Sequence, residues 1–338
     1  MKKGVLFLVL GVASLYAVPQ EAEAWSEATH AYIADHIGKS YGSRNLNEIY
    51  GAMVPDLFNL QQFDPAYTEE QYQCARTYTH GFIPESNGDF MALWDEAGWG
   101  LSKNIAYGYV SHNDVWGADV ATHWDGLTNE EPESLPNPEF YPDPLSEVGW
   151  VMEKARELID YFDAQGVWAD LEIPLDPTSD PWSFTPAELF CQFLVMKAGD
   201  VVIKRNDPMI GTKMAMAAMM RAPEFNKVLV DAISCVDSEL VSSAEREFRN
   251  QTMLLGFMLM QNEKIYLNTI ANRMSALAPD FLQAAGISYT PEKQAIIDQL
   301  VSEGLKQALF LIEDDYMVEI DAVVEYLRVK MSQELGSY

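Results

Sequence analysis

The chain has 338 residues, with 51 Asp and Glu against 22 Lys and Arg, and a formal net charge of −29. That length suits one large domain or two small ones with an ample core. The charge repels phosphate backbones and anionic membranes at long range and favours divalent cations, so no nucleic-acid partner is expected.

Residues 1–24 read as a secretory signal peptide: Lys2 and Lys3 open it, 4–17 form the apolar run, and Ala22-Glu23-Ala24 is the small-x-small cleavage signal. Cleavage there leaves a secreted or periplasmic chain, 25–338, starting at Trp25. A free α-amine and its own carbonyl can together chelate a metal ion, and His30, five residues on, can add a third donor. In the precursor the same nitrogen is an amide and cannot ligate. After residue 24 no apolar run is long enough to span a bilayer, so no stable membrane insertion is expected.

A helix is predicted over 27–40, with Ala31, Ile33, Ala34 and Ile37 at helical spacing and Gly38 closing it. His30 lies on that apolar face, as a hydrogen-bonded core residue or, beside a new N-terminus, as a ligand. His36 lies about 120° around the helix and reads as exposed. A second short helix over 45–54 stops at Pro55. Residues 62–80 are polar and aromatic, and 81–89 are turn-rich. One long helix, or two broken around 98–100, should cover 90–125.

From 126 to 186 prolines are frequent, interrupted by one helix at about 145–165. This Pro-rich insertion is too long for a plain connector and reads as a lid or rim. Its aromatics Phe140, Tyr141, Trp168 and Trp182 either face a ligand or pin the loop to the core. Helical patterning returns at about 187–205, 208–221, 224–236, 239–277, 291–313 and 315–334, so that 204–338 forms a helical extension. The methionines between 209 and 220 read as core filler. With no repeat and no strand series, the chain reads as a single all-α, multi-helix bundle. Cys74, Cys191 and Cys235 fit no zinc-knuckle spacing. They read as buried small apolar residues, with one disulfide and a spare thiol or with none bonded.

All five histidines fall within 30–123. On a helix, offsets of 7 and 11 residues return to within about 20° of the start. His112, Asp119 and His123 would therefore form one stripe, with Trp116 in the same row. Burying these groups unpaired is costly, and either metals or a His–Asp–His hydrogen-bond network would relieve the cost.

These residues carry a family resemblance. Ala24-Trp25-Ser26-Glu27-Ala28-Thr29-His30 resembles the mature start of the zinc-dependent phospholipase C family, including its phospholipase C/D-type bacterial members and the GPI-specific phospholipase D catalytic domain. The N-terminal Trp and the His five residues on are shared with fungal-type single-strand zinc nucleases. Gly51-Ala52-Met53-Val54-Pro55-Asp56 resembles the family's Gly-Ala-x-x-Pro-Asp, which makes Asp56 a metal ligand and a candidate for orienting or deprotonating the attacking water. Tyr78-Thr79-His80 resembles its Thr-His ligand. The segment from Gly108 to His123 looks like its metal-binding helix, but Trp116 stands where an Asp four residues after the first His is usual. Asp119 stands seven on, about 10.5 Å along a straight helix. Either the helix is distorted near Gly117, or Asp114 substitutes, or the residues serve different metals. Ala198-Gly199-Asp200 resembles a further ligand motif, with Met196 where a His is expected.

The resemblance implies a helical bundle of the zinc-dependent phospholipase C type. Its metal ligands would be Trp25, His30, Asp56, His80, His112, Asp119, His123 and Asp200, holding two zinc ions and a third that is weak or absent. The implied activity is hydrolysis of a phospholipid phosphodiester by in-line attack of a zinc-generated hydroxide. A single-strand zinc nuclease and a catalytically degenerate metal-binding relative are the alternatives.

Overall fold

A computed structural model describes residues 25–61, 66–81, 89–123, 127, 149–175, 185–284 and 286–336. Residues 1–24, read above as a leader, most of the Pro-rich insertion and the side chain of His123 lie outside the described residues. The described elements are helical, with no strand among them, as expected of an all-α chain.

In chain order the helices are α1 (Glu27–Ile37), α2 (Ser43–Met53), α3 (Glu69–His80), α4 (Ala92–Glu96), α5 (Leu101–Tyr109), α6 (Asp119–His123), α7 (Trp150–Asp163) and α8 (Val167–Leu171). There follow α9 (Pro186–Asn206), α10 (Ile210–Met220), α11 (Phe225–Ala232), α12 (Ser238–Leu259), α13 (Glu263–Ala276), α14 (Ala278–Ala284), α15 (Pro291–Ile312) and α16 (Tyr316–Leu335). Local sequence sets several starts. Thr68 with Gln71, and Thr185 with Glu188, form reciprocal capping boxes, and Pro186 and Pro291 stand in first turns. The single helix expected over 239–277 is two, because Asn262 turns out of the chain and accepts from the Ile265 amide to start α13.

Two helices organise the core. α2 packs on α1, α5 and α10, and α9 packs on α1, α7, α15 and α16. The approach of α2 to α5 requires glycine: a Cβ on Gly51 would overlap the Ile105 carbonyl, and one on Gly108 the Glu48 carbonyl. The second helix stops at Met53, just before Pro55, and the chain continues as a 3-10 segment, Val54–Gln61, that carries Asp56. Trp168 is buried, donates to the Ile159 carbonyl and lies edge-on to Phe162 and Phe190, so it pins its segment to the core. Cys74 and Cys235 are joined in a disulfide and Cys191 is a buried free thiol. The reading of the α10 methionines as core filler is corrected: Met214 is buried, but Met209, Met216, Met219 and Met220 are exposed.

Candidate metal centre

Three chain ends meet at one point. α1 brings His30, the 3-10 segment after α2 brings Asp56, and the last residue of α3 is His80. The expected stripe on a continuous helix is also corrected here. Helix α5 ends at Tyr109, His112 lies in the turns beyond it, and helix resumes only at Asp119. Asn113 folds the intervening loop: its Oδ1 accepts from the amides of Val115, Trp116 and Gly117 at 2.9, 2.8 and 3.2 Å. The Asp119 amide then donates to the His112 carbonyl at 3.0 Å. A Cβ on Gly117 would overlap the Asn113 backbone, so the tight fold depends on glycine there. The loop erases the seven-residue rise and sets Asp119 directly beside His112. The Asp114 backbone amide donates to the His80 carbonyl at 2.9 Å, and Asp114 belongs to neither of the donor groups that could hold a metal ion.

The resulting cluster is compact. Two groups could hold a metal ion, His30–His112–Asp119 and Asp56–His80–His112, with the ligand atoms of each within 4.8 Å of one another. His112 Nε2 lies 2.9 Å from Asp119 Oδ2 and 3.4 Å from Asp56 Oδ1. His80 Nε2 lies 3.6 Å from Asp56 Oδ1 and 3.9 Å from Asp119 Oδ2, and His30 Nε2 lies 3.4 Å from Asp119 Oδ1. The rings of His30 and His112 stack with centroids 3.9 Å apart.

Second partners set the imidazole tautomers. His112 Nδ1 lies 2.8 Å from the Ala52 carbonyl, which can only accept, so Nδ1 carries the proton. Thr79 donates its hydroxyl to the backbone of α3 and therefore accepts from His80 Nδ1 at 2.8 Å. Both rings are left aiming Nε2 lone pairs at carboxylates, an arrangement that needs a cation between them. Donors bound to one ion at ~2.0–2.2 Å sit ~2.9–3.5 Å apart at 90–110°, close to the separations seen here. Neutral imidazoles with carboxylates suit zinc better than magnesium or copper(I). Without a metal a proton fills the gap. Burial alone would push the Asp56 carboxyl up, but His112, with hydrogen bonds from His112 and His80, holds it well below the usual range. Burial likewise pushes His112 down, and Asp119 and Asp56 overcome it to hold the imidazole well above its ordinary value.

The remaining candidates stand differently. Trp25 is buried, donates from Nε1 to the Ala118 carbonyl at 3.2 Å and packs on Trp150 and Tyr316. Asp200 is outside both groups: its oxygens accept from Ser26 Oγ and Tyr266 OH, each at 2.5 Å, and Lys197 lies 3.8 Å away. Burial raises its carboxyl despite those partners. Sequence reasoning did not single out Thr79 or Asn59, whose Nδ2 donates to Asp56 Oδ1 at 2.9 Å. Thr79 precedes a candidate ligand directly and Asn59 follows one by three residues, so both carried a signal in their spacing.

A cavity opens on Asp56. Ser26, Asn59, Glu27, Lys197, Gln251 and Arg273 are its other polar lining residues, and Trp25, Phe193, Met196, Phe248, Leu255 and Met258 are among its apolar ones. No family model matches the chain, and no curated protein or solved structure matches it.

Proposed function

We propose that the protein is an exported zinc-dependent phosphodiester hydrolase of the phospholipase C type, acting at phospholipid head groups. One observation carries the reading: a buried cluster of imidazoles and carboxylates includes Asp56, which lines a cavity together with both apolar and cationic side chains. An amphiphile's reacting phosphate would lie near Asp56, in reach of the lining cations Lys197 and Arg273, while its apolar part met Trp25, Phe193, Leu255 and Met258. Zinc bound there supplies Lewis acidity for a phosphoryl oxygen and acidifies the attacking water. His80 and His112 would hold the ion through Nε2, oriented by Thr79 and the Ala52 carbonyl. Asp119 would join the His30 side to the His112 side. Asp56 would ligate and hold the attacking water by hydrogen bonding, with Asn59 fixing its carboxylate. The Cys74–Cys235 disulfide supports an oxidising compartment, in keeping with the leader read from 1–24.

A degenerate, non-catalytic relative is the second reading. It is favoured by Asp200, whose two oxygens are taken by hydroxyls, and by Met196, which offers no hard donor. The test is metal content by elemental mass spectrometry on protein beginning at Trp25, followed by assay on phosphatidylcholine micelles and on single-stranded DNA. Bound zinc with release of a head group or diacylglycerol is the expected result. Cleavage of DNA alone would make it a nuclease, zinc without hydrolysis the degenerate relative, and no zinc at all would end the metal reading.

A further inference from the structure

The side of the molecule made by α10 and α12 carries seven of the large apolar side chains exposed among the described residues. The two helices run antiparallel in close contact, Gly211 lying against Gly256, Leu259 and Met260, and Ala215 against Gly256. Helical phase then turns Met209, Met216, Met219 and Met220 of the first helix to the same side as Leu254, Phe257 and Met260 of the second. All seven are exposed, Met219 at 55%, Met260 at 53% and Phe257 at 43%. A contiguous apolar side of this kind marks an interaction surface.

Its charge differs too. Acidic residues number 51 in 338, yet none occurs in 208–223 or in 248–262. Those stretches contain Lys213, Arg221 and Arg249. Lys213 is ion-paired to Asp35 and Asp207, and Arg221 to Glu245, so the face is close to neutral. A chain of charge −29 is repelled by phosphate-bearing surfaces over much of its surface, and an acid-free side such as this one lowers that repulsion. The face is also continuous with the cavity: Leu254 is exposed upon it and lines the cavity wall, with Leu255 and Met258 following inward. Unbranched methionines adapt to an irregular apolar partner.

We propose that the methionine-rich side of α10 and α12 is the surface by which this protein sits on a lipid aggregate, delivering an acyl-bearing substrate along Leu254 into the cavity. The inference rests on the phospholipid reading of the site. It assigns to the helical extension a task that the donor cluster cannot perform, because a substrate held in an aggregate must be reached at its surface.

The experiment uses the full mature chain with flotation on phosphatidylcholine vesicles, hydrolysis of vesicles and hydrolysis of monomeric dihexanoyl-phosphatidylcholine. The double substitution Met216→Asp/Phe257→Asp changes two exposed side chains outside the cavity. It is expected to lower vesicle binding and vesicle hydrolysis about tenfold or more, with monomer hydrolysis within about twofold of wild type. Met209→Asp, together with thermal melts, guards against a folding defect and should weaken vesicle binding in the same direction. Wild type that cuts the monomer but does not float with vesicles would overturn the docking surface and leave the enzyme reading intact. Wild type that floats, with loss in the variants, but cuts no phosphodiester would support the surface and remove the enzyme reading. A dimer by light scattering that Phe257→Asp converts to monomer would overturn the proposal in favour of a second copy on this face.

Discussion

At the scale of single residues, His112 matters most, because it belongs to both donor groups. Its Nδ1 is committed to the Ala52 carbonyl, so it has one lone pair to give, and the two groups cannot both be complete at once. His112→Ala should remove essentially all bound zinc and lower activity more than the roughly 100-fold seen on losing an outer-shell partner. His80→Ala should leave part of the zinc bound, as elemental mass spectrometry will show; equal losses would mean the two groups are not separable. Asp200 makes a pH prediction. Its folded carboxyl is raised by burial, so the folded chain holds a proton that the unfolded chain releases near pH 4. The stability from that proton is fullest below about pH 4 and declines as pH rises through the elevated value. Asp200→Asn keeps a neutral group there at every pH and should flatten the decline in melting temperature as pH rises above about 4. An unchanged slope would show that another group sets it.

At the scale of elements, the loop from 110 to 118 decides where Asp119 goes. Asn113→Ala would leave the Val115 and Trp116 amides without their acceptor, while the Gly117 amide keeps the Asn113 carbonyl, at a cost of ~2 kcal/mol, and should release zinc before the fold melts. Thermal denaturation with and without added zinc checks this: a variant as stable and as fully loaded as wild type would deny the loop its role. This loop also marks the limit of what the sequence revealed. Each donor that converges here was visible as a residue in a short motif, because His and Asp carry their chemistry wherever the chain puts them. The geometry was not visible, because a helical period was assumed through Asn113, and a side chain accepting from three successive amides breaks that period. The break before α13 was missed for a related reason, Asn262 acting as a cap inside an otherwise helical pattern. The methionines of α10 misled because apolar residues predict burial only when a neighbour covers them, and periodicity says nothing about neighbours.

At the scale of the whole molecule, helices and core were legible because 3.6-residue patterning is local, while pairings between distant segments were not. The sequence left the cysteines open; the fold ties Cys74 on α3 to Cys235 after α11. Among its strongest packing partners α3 meets the 3-10 segments 54–61 and 89–91, and little of the long-helix core. Cys235→Ser should therefore destabilise the chain by about 2–5 kcal/mol and weaken zinc retention through His80. A chelator-competition assay, run beside a reductant titration of wild type, measures both; unchanged zinc affinity would show that α3 is held without the bridge. The same bridge orders events in time. His30, Asp56, His80, His112 and Asp119 all leave the ribosome well before Cys235, which lies 161 residues beyond its partner. The helix that carries His80 is thus secured only after the donors have been waiting, and only where thiols oxidise. On the proposed reading, loading with metal would be a late step that follows closure of the bridge, and a chain kept in a reducing compartment would be slow to acquire its ions even with zinc at hand.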